Sequence, residues 1–170
     1  MRPAHRARAV VAGAAALAAM AGAAAAQGLP VERYVPAGVA LEAAVAAVET
    51  CATQGHRVSA AVVDRAGVVR ALLRGDGAGS HTADTSARKA YTAATFRVSS
   101  AFMMQYAGST PAAGGMRHID RVLMVGGALP ITVADDVLGA IGVSGAPGVD
   151  LDDTCAQAGI DRIRRHLGAP

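Results

Sequence analysis

The chain has no tryptophan, three tyrosines and two phenylalanines in 170 residues. A core without rings must be filled by Ala, Val, Leu, Ile and Met, each of which buries less apolar area than an aromatic side chain. Lysine is nearly absent: Lys89 is the only one, and every other basic side chain is an arginine. Glutamate is confined to Glu32, Glu42 and Glu49. There is no GxSxG elbow, no paired-carboxylate motif and no Walker loop, so no standard hydrolase or nucleotide-binding signature occurs. The two cysteines, Cys51 and Cys155, form no CxxC pair and have no His at metal spacing, which argues against a zinc site.

Charge is also scarcer than it looks. Lys and Arg number 16 against 13 Asp and Glu, but three of the arginines, Arg2, Arg6 and Arg8, stand at the extreme N-terminus. They precede an uncharged, Ala-rich apolar run over residues 10–26, which ends in Ala24-Ala25-Ala26 before Gln27. A positive start, a short apolar stretch and an A-x-A site read as a secretory signal peptide over residues 1–26. The run is too short and Ala-dominated for a stable membrane anchor. Without those three arginines, 13 basic residues face 13 acidic ones, and a nucleic-acid partner loses its electrostatic basis. The expected location is periplasmic or secreted.

What remains divides into an arm, residues 27–37, and a single domain, residues 38–170. Residues 39–54 repeat apolar side chains at a helical period, and Gly55 stops them. Residues 57–64 and 68–74 are β-rich runs joined by Asp64-Arg65-Ala66-Gly67, a β-hairpin. Residues 82–97 form a helix after a loop with three glycines, and residues 99–106 a second short helix. Residues 107–117 read as a loop and 121–125 as a strand. A second hairpin pairs residues 130–133 with 137–143 around Asp135-Asp136. Gly139 and Gly142 within its last strand imply a close approach by backbone or ligand. Residues 150–166 form the final helix, with arginines at its end to suit the dipole. The fold class is α+β, a mainly antiparallel five-stranded sheet with helices on both faces. If the first and last helices share a face and run antiparallel, Cys51 and Cys155 meet, and an exported pair of this kind forms a disulfide.

The segment over residues 75–97 and two later segments carry a family resemblance. Lys89-Ala90-Tyr91-Thr92-Ala93 after the Asp76-Gly77 loop, Gly126-Gly127-x-x-Pro130-Ile131 leading to Gly139-Ala140-Ile141-Gly142-Val143-Ser144-Gly145, and Asp152-x-x-Cys155-Ala156-x-Ala158-Gly159 together resemble the GlcG/HbpS family over about residues 38–167. The resemblance implies a five-stranded, profilin-like three-layer fold, homo-oligomers, and in several members haem binding linked to scavenging, storage or sensing. The acidic-x-x-Glu surface motif that the family associates with iron has no counterpart here, so an iron-sensing role is not carried over.

Haem needs an apolar slot, an axial ligand and cations or hydroxyls for its propionates. The candidate iron ligand is His81, at the loop-to-helix junction, where the alternative is a His that caps the helix or faces solvent. Thr82 beside it is either a cap or a ligand-facing hydroxyl. Arg88 and Lys89 are candidates for the propionates, although Lys89 can instead pair with Asp84 or Asp64. Tyr91 and Thr92 offer hydroxyls, with core packing the alternative for Tyr91. Met103, Met104, Met116 and His118 flank the 107–117 loop and read first as gap-fillers. His56 and His166 read as exposed element ends. The alternative function is a small-metabolite-binding accessory, or an enzyme of unknown reaction, using the same glycine-rich loop and Lys89. A third is a structural oligomer without ligand.

Overall fold

Two hairpins, each pairing neighbouring segments, build the sheet of this protein. In the computed structural model, which describes residues 31–168, β1 (Ser59–Asp64) pairs with β2 (Val69–Arg74), and β3 (Ala128–Val133) with β4 (Asp136–Ser144). β1 and β4 then pair antiparallel in the middle, from Ser59 opposite Ser144 to Asp64 opposite Gly139, giving the order β2-β1-β4-β3. The central strands are buried nearly throughout and the edge strands are half-exposed. The signal peptide over residues 1–26 and the first part of the arm lie outside the described residues. The chain divides into Met1–Glu32 and Arg33–Pro170, and every strand and helix named here lies in the second unit.

The period of two in β1 and β4 sorts the core into two layers. Ala60, Val62, Ile141 and Val143 face α1 (Ala37–Thr53) and α4 (Val149–Ile163), in a cluster with Ala43, Ala47 and Ile163. Val63 and Ala140 face the other way, onto Ala90, Ala93 and Ala94 of α2 (Thr82–Phe96). α1 is alanine-rich and stops at Gly55, whose φ of 81° fits the left-handed position after a helix end. α3 (Ser100–Ser109) starts at Ser99, whose hydroxyl accepts the Phe102 amide at 3.1 Å.

The glycines of β4 are explained by backbone proximity. A methyl group on Gly142 would strike the Ser86 carbonyl and lie 2.7 Å from the Ala90 amide, so α2 sits directly on the strand. One at Gly139 would strike the Val63 carbonyl of the neighbouring strand. On the opposite face α1 and α4 are joined by a disulfide between Cys51 and Cys155, both fully buried, with Cα atoms 5.6 Å apart.

Among the described residues the sheet has four strands, not five. Residues 121–125 have the composition of a strand but not its pairing. Arg121 takes a left-handed φ of 65°, and the Leu123 amide is held at 2.8 Å by the Thr92 hydroxyl instead of by a neighbouring strand. Residues 107–117 are not an open loop: α3 runs to Ser109 and a 3-10 helix, Pro111–His118, follows. The second hairpin turns at Ala134 and Asp135, and Asp136 already belongs to β4. α4 ends at Ile163 and gives way to a short 3-10 turn, Arg164–His166.

Candidate functional site

α2 presents its polar side chains in three directions. Lys89 points inward and is 4% exposed. Its ammonium donates to Asp152 of α4 at 2.8 Å and to the Val143 carbonyl of β4 at 3.0 Å. Asp152, 3% exposed, also accepts the Ala146 amide at 3.1 Å. Burial raises the carboxyl of Asp152 above its ordinary range, and Lys89 and the Ala146 amide pull it back. Asp153 beside it accepts the Gly127 amide at 2.9 Å and is likewise raised by burial. The partner of Lys89 is therefore Asp152, neither Asp84 nor Asp64. Gly127, with φ of 114°, fits where a Cβ would come within 2.7 Å of the ammonium.

Thr82 and Thr92 are buried and engaged within the protein. Thr82 gives its proton to the Gly79 carbonyl at 2.7 Å, so Ser59, also at 2.7 Å, is the donor to it. Thr92 donates to the Arg88 carbonyl at 2.9 Å while receiving the Leu123 amide. The half-buried ring of Tyr91 lies under the Arg121 guanidinium, 4.1 Å from its centre. Lys89 and Thr92, three residues apart, thus serve α4 and the 121–125 segment respectively.

His81 and Arg88 keep polar ends toward solvent. His81 is the exposed residue before the first turn of α2, makes no side-chain cap, and packs against Gly79. Arg88 reaches the Val122 carbonyl at 3.3 Å and Asp84 at 3.8 Å, beside a polar recess of about 350 Å³ shared with Asp120 and Arg121. Met103 is buried, with Met116 against it, whereas Met104 and His118 are exposed. His56 is half-buried, and His166 bonds Glu42 at 3.1 Å. Among the described residues, no group of three or more His, Cys, Asp or Glu side chains could hold a metal ion.

A larger concavity lies elsewhere. Between the free edge of β3 and the C-terminal half of α4 runs a groove of about 920 Å³. Leu129, Val133, Ile160 and Leu167 line its walls and pack on the core below. Arg33 and Arg164 line it too. Arg33 holds Asp136 at 3.1 Å, at the β3–β4 turn. Arg164, in the turn that follows α4, pairs with Asp161. Sequence reasoning does not single out these residues. They come from three separated segments with no motif spacing, and only the apolar, half-exposed character of β3 hints at them.

Comparison with known proteins gives a consistent result. A family model described as "Haem degrading protein HbpS-like" matches residues 36–161. A crystal structure titled HbpS is 35% identical over 86% of this chain and 99% of that one, with a TM-score of 0.76. That of a double mutant of Streptomyces reticuli HbpS is 36% identical over 82% and 93%, TM-score 0.75. A PduOC:heme complex shares the fold at 22% identity over 71% and 88%, TM-score 0.65. A search of curated proteins gave no match.

Proposed function

We propose, from the premise that this chain belongs to the HbpS-like family, that it is an exported haem-binding protein acting in haem scavenging, storage or sensing. The observation that carries the reading is the family match over residues 36–161, whose model is described by haem. The groove beside β3 supports it, since its size and apolar walls fall in the range of small-ligand and cofactor sites. Export rests on the N-terminal sequence features, and among the described residues no helix is long and apolar enough to cross a membrane. A homo-oligomer is part of the same proposal. The stacked, solvent-exposed rings of Phe102 and Tyr106 on α3, 6.2 Å apart, are the kind of apolar surface that a second copy covers.

The residues suit haem unequally. At the α2 junction, Thr82, Lys89 and Thr92 have protein partners for their polar groups, so a ligand there would have to displace them. His81 is exposed, Arg88 is engaged with the Val122 carbonyl and Asp84, and Tyr91 packs its ring under Arg121. Along the groove, apolar walls and two guanidinium groups suit an apolar plate with carboxylates, but the lining offers no His, Met, Cys or Tyr to an iron. The test is a titration of the exported protein, begun at Gln27, with hemin. A saturable Soret shift is expected. Absorbance that adds as free hemin alone would reject haem binding and favour the metabolite alternative.

A further inference from the structure

We propose that the groove between β3 and α4 binds a fatty acid, with its carboxylate on Arg33 and its chain along Val133 and Leu129. This site is independent of the haem reading. The lining excludes one class of ligand and favours another. It contains no His, Met, Cys or Tyr to ligate a metal, and no Asp or Glu to attract a cation. What it presents is apolar side chains from a strand and a helical end, together with the guanidinium groups of Arg33 and Arg164. Its complement is therefore apolar along its length and anionic, and needs no metal. Leu129, Val133, Ile160 and Leu167 are half-buried and rest on the core, so the walls are firmly backed.

Charge along the groove gives the ligand a direction. Arg33 bonds Asp136 at 3.1 Å, and Asp136 is the β4 partner of Val133, so this cation stands at the Val133 end of β3. Asp136 also meets Arg65 at 3.3 Å. Two guanidinium groups thus share one carboxylate, and Arg33, its side chain 58% exposed, keeps N–H donors for a second. Beyond the Leu129 end the surface continues into a recess of about 520 Å³ that shares Leu129 and Gln157 with the groove. That recess carries Asp153 and Asp161, which repel an anion. Arg164 is paired with Asp161 and is the weaker anchor. From Val133 to Leu129 the strand covers about 13 Å, the length over which an extended chain anchored at Arg33 lies against apolar walls.

A protein strand is a poorer occupant. β3 is an edge of the sheet, but Pro130 has no N–H to offer a new neighbour, and the register of β3 shifts between Ile131 and Thr132. Both features blunt an edge against strand addition. The volume of about 920 Å³ is that of a small-molecule site.

Equilibrium dialysis of the exported protein, begun at Gln27, against radiolabelled palmitate tests the proposal, with hexadecanol as the uncharged control. Palmitate is expected to bind saturably, one per chain, and at least ten-fold more tightly than hexadecanol. Arg33→Ala should weaken palmitate about ten-fold or more through the lost charge-assisted hydrogen bond, and leave hexadecanol unchanged. Arg164→Ala should cost less than Arg33→Ala. Thr132→Glu, at an exposed groove position next to Val133, should also weaken palmitate about ten-fold, by charge repulsion and without touching the core. No saturable palmitate binding, equal affinity for palmitate and hexadecanol, or palmitate binding that Arg33→Ala and Thr132→Glu both leave intact would overturn the proposal. Hemin binding is read separately by Soret absorbance, so either reading can fail while the other stands.

Discussion

Lys89→Met tests whether the one lysine of this chain serves structure or ligand. Its ammonium and the Asp152 carboxylate are both almost fully buried and meet at 2.8 Å. Removing the cation leaves Asp152 with the Ala146 amide as its remaining partner. Breaking one side of such a pair costs about 3–5 kcal/mol, because the other charge stays behind without compensation. A domain of this size has a total stability of roughly 5–15 kcal/mol, so the variant should lose about a fifth of it or more. Asp152 can relieve part of that cost by taking up a proton, since burial already raises its pKa. The lower half of the range is therefore expected at neutral pH, and a larger loss at alkaline pH. Urea unfolding followed by circular dichroism gives the number. The double variant Lys89→Met, Asp152→Leu should recover at least about 1 kcal/mol relative to Lys89→Met, because both charges are gone. Hemin affinity of the folded fraction should change less than two-fold. A stability loss under about 1 kcal/mol, or a folded variant that no longer binds hemin, would refute the structural assignment of Lys89.

Three further outcomes follow from the fold. Replacing Cys51 and Cys155 by alanine opens a crosslink spanning 104 residues and should cost about 2–5 kcal/mol in urea; two titratable thiols per denatured, unreduced chain would contradict the bridge. Gly142→Ala should destabilise by at least roughly 2 kcal/mol and weaken the packing of α2 on β4, because its methyl meets backbone that cannot rotate away; an unchanged midpoint would count against that close approach. The pH dependence has two opposite parts. The folded pKa of Asp152 and of Asp153 is raised above the ordinary 3.8, so the stability they contribute is present below 3.8 and is lost as pH rises through the folded values. Asp161 is lowered by its hydrogen bond from Arg164, so its contribution is present above 3.8 and disappears as pH falls through its folded value. Being largely exposed, it should matter less. The parent should thus gain on Asp152→Asn as pH falls toward 3.8; a constant difference between the two would contradict the burial effect.

The hairpins are readable because their turns and alternation are local. Asp64-Arg65-Ala66-Gly67 marks the first one, and the Asp64 carboxylate does bind the amides of Ala66 and Val68, both at 3.0 Å. The fifth strand fails because residues 121–125 share the composition of a strand, while their pairing is decided by Thr92, about thirty residues earlier in the chain. Gly139 and Gly142 announce a close approach, but only the packed helix reveals that the neighbour is backbone. Lys89 stands out through composition alone. Its partner, 63 residues away, is one of several acids that periodicity cannot rank. The groove is the least legible feature. Arg33, Val133 and Ile160 become neighbours only when β3 takes the sheet edge and α4 crosses the same face.

Whether this chain binds haem is tested most directly by titrating the exported protein, begun at Gln27, with hemin. A saturable Soret shift is predicted, and absorbance that adds as free hemin alone would contradict haem binding.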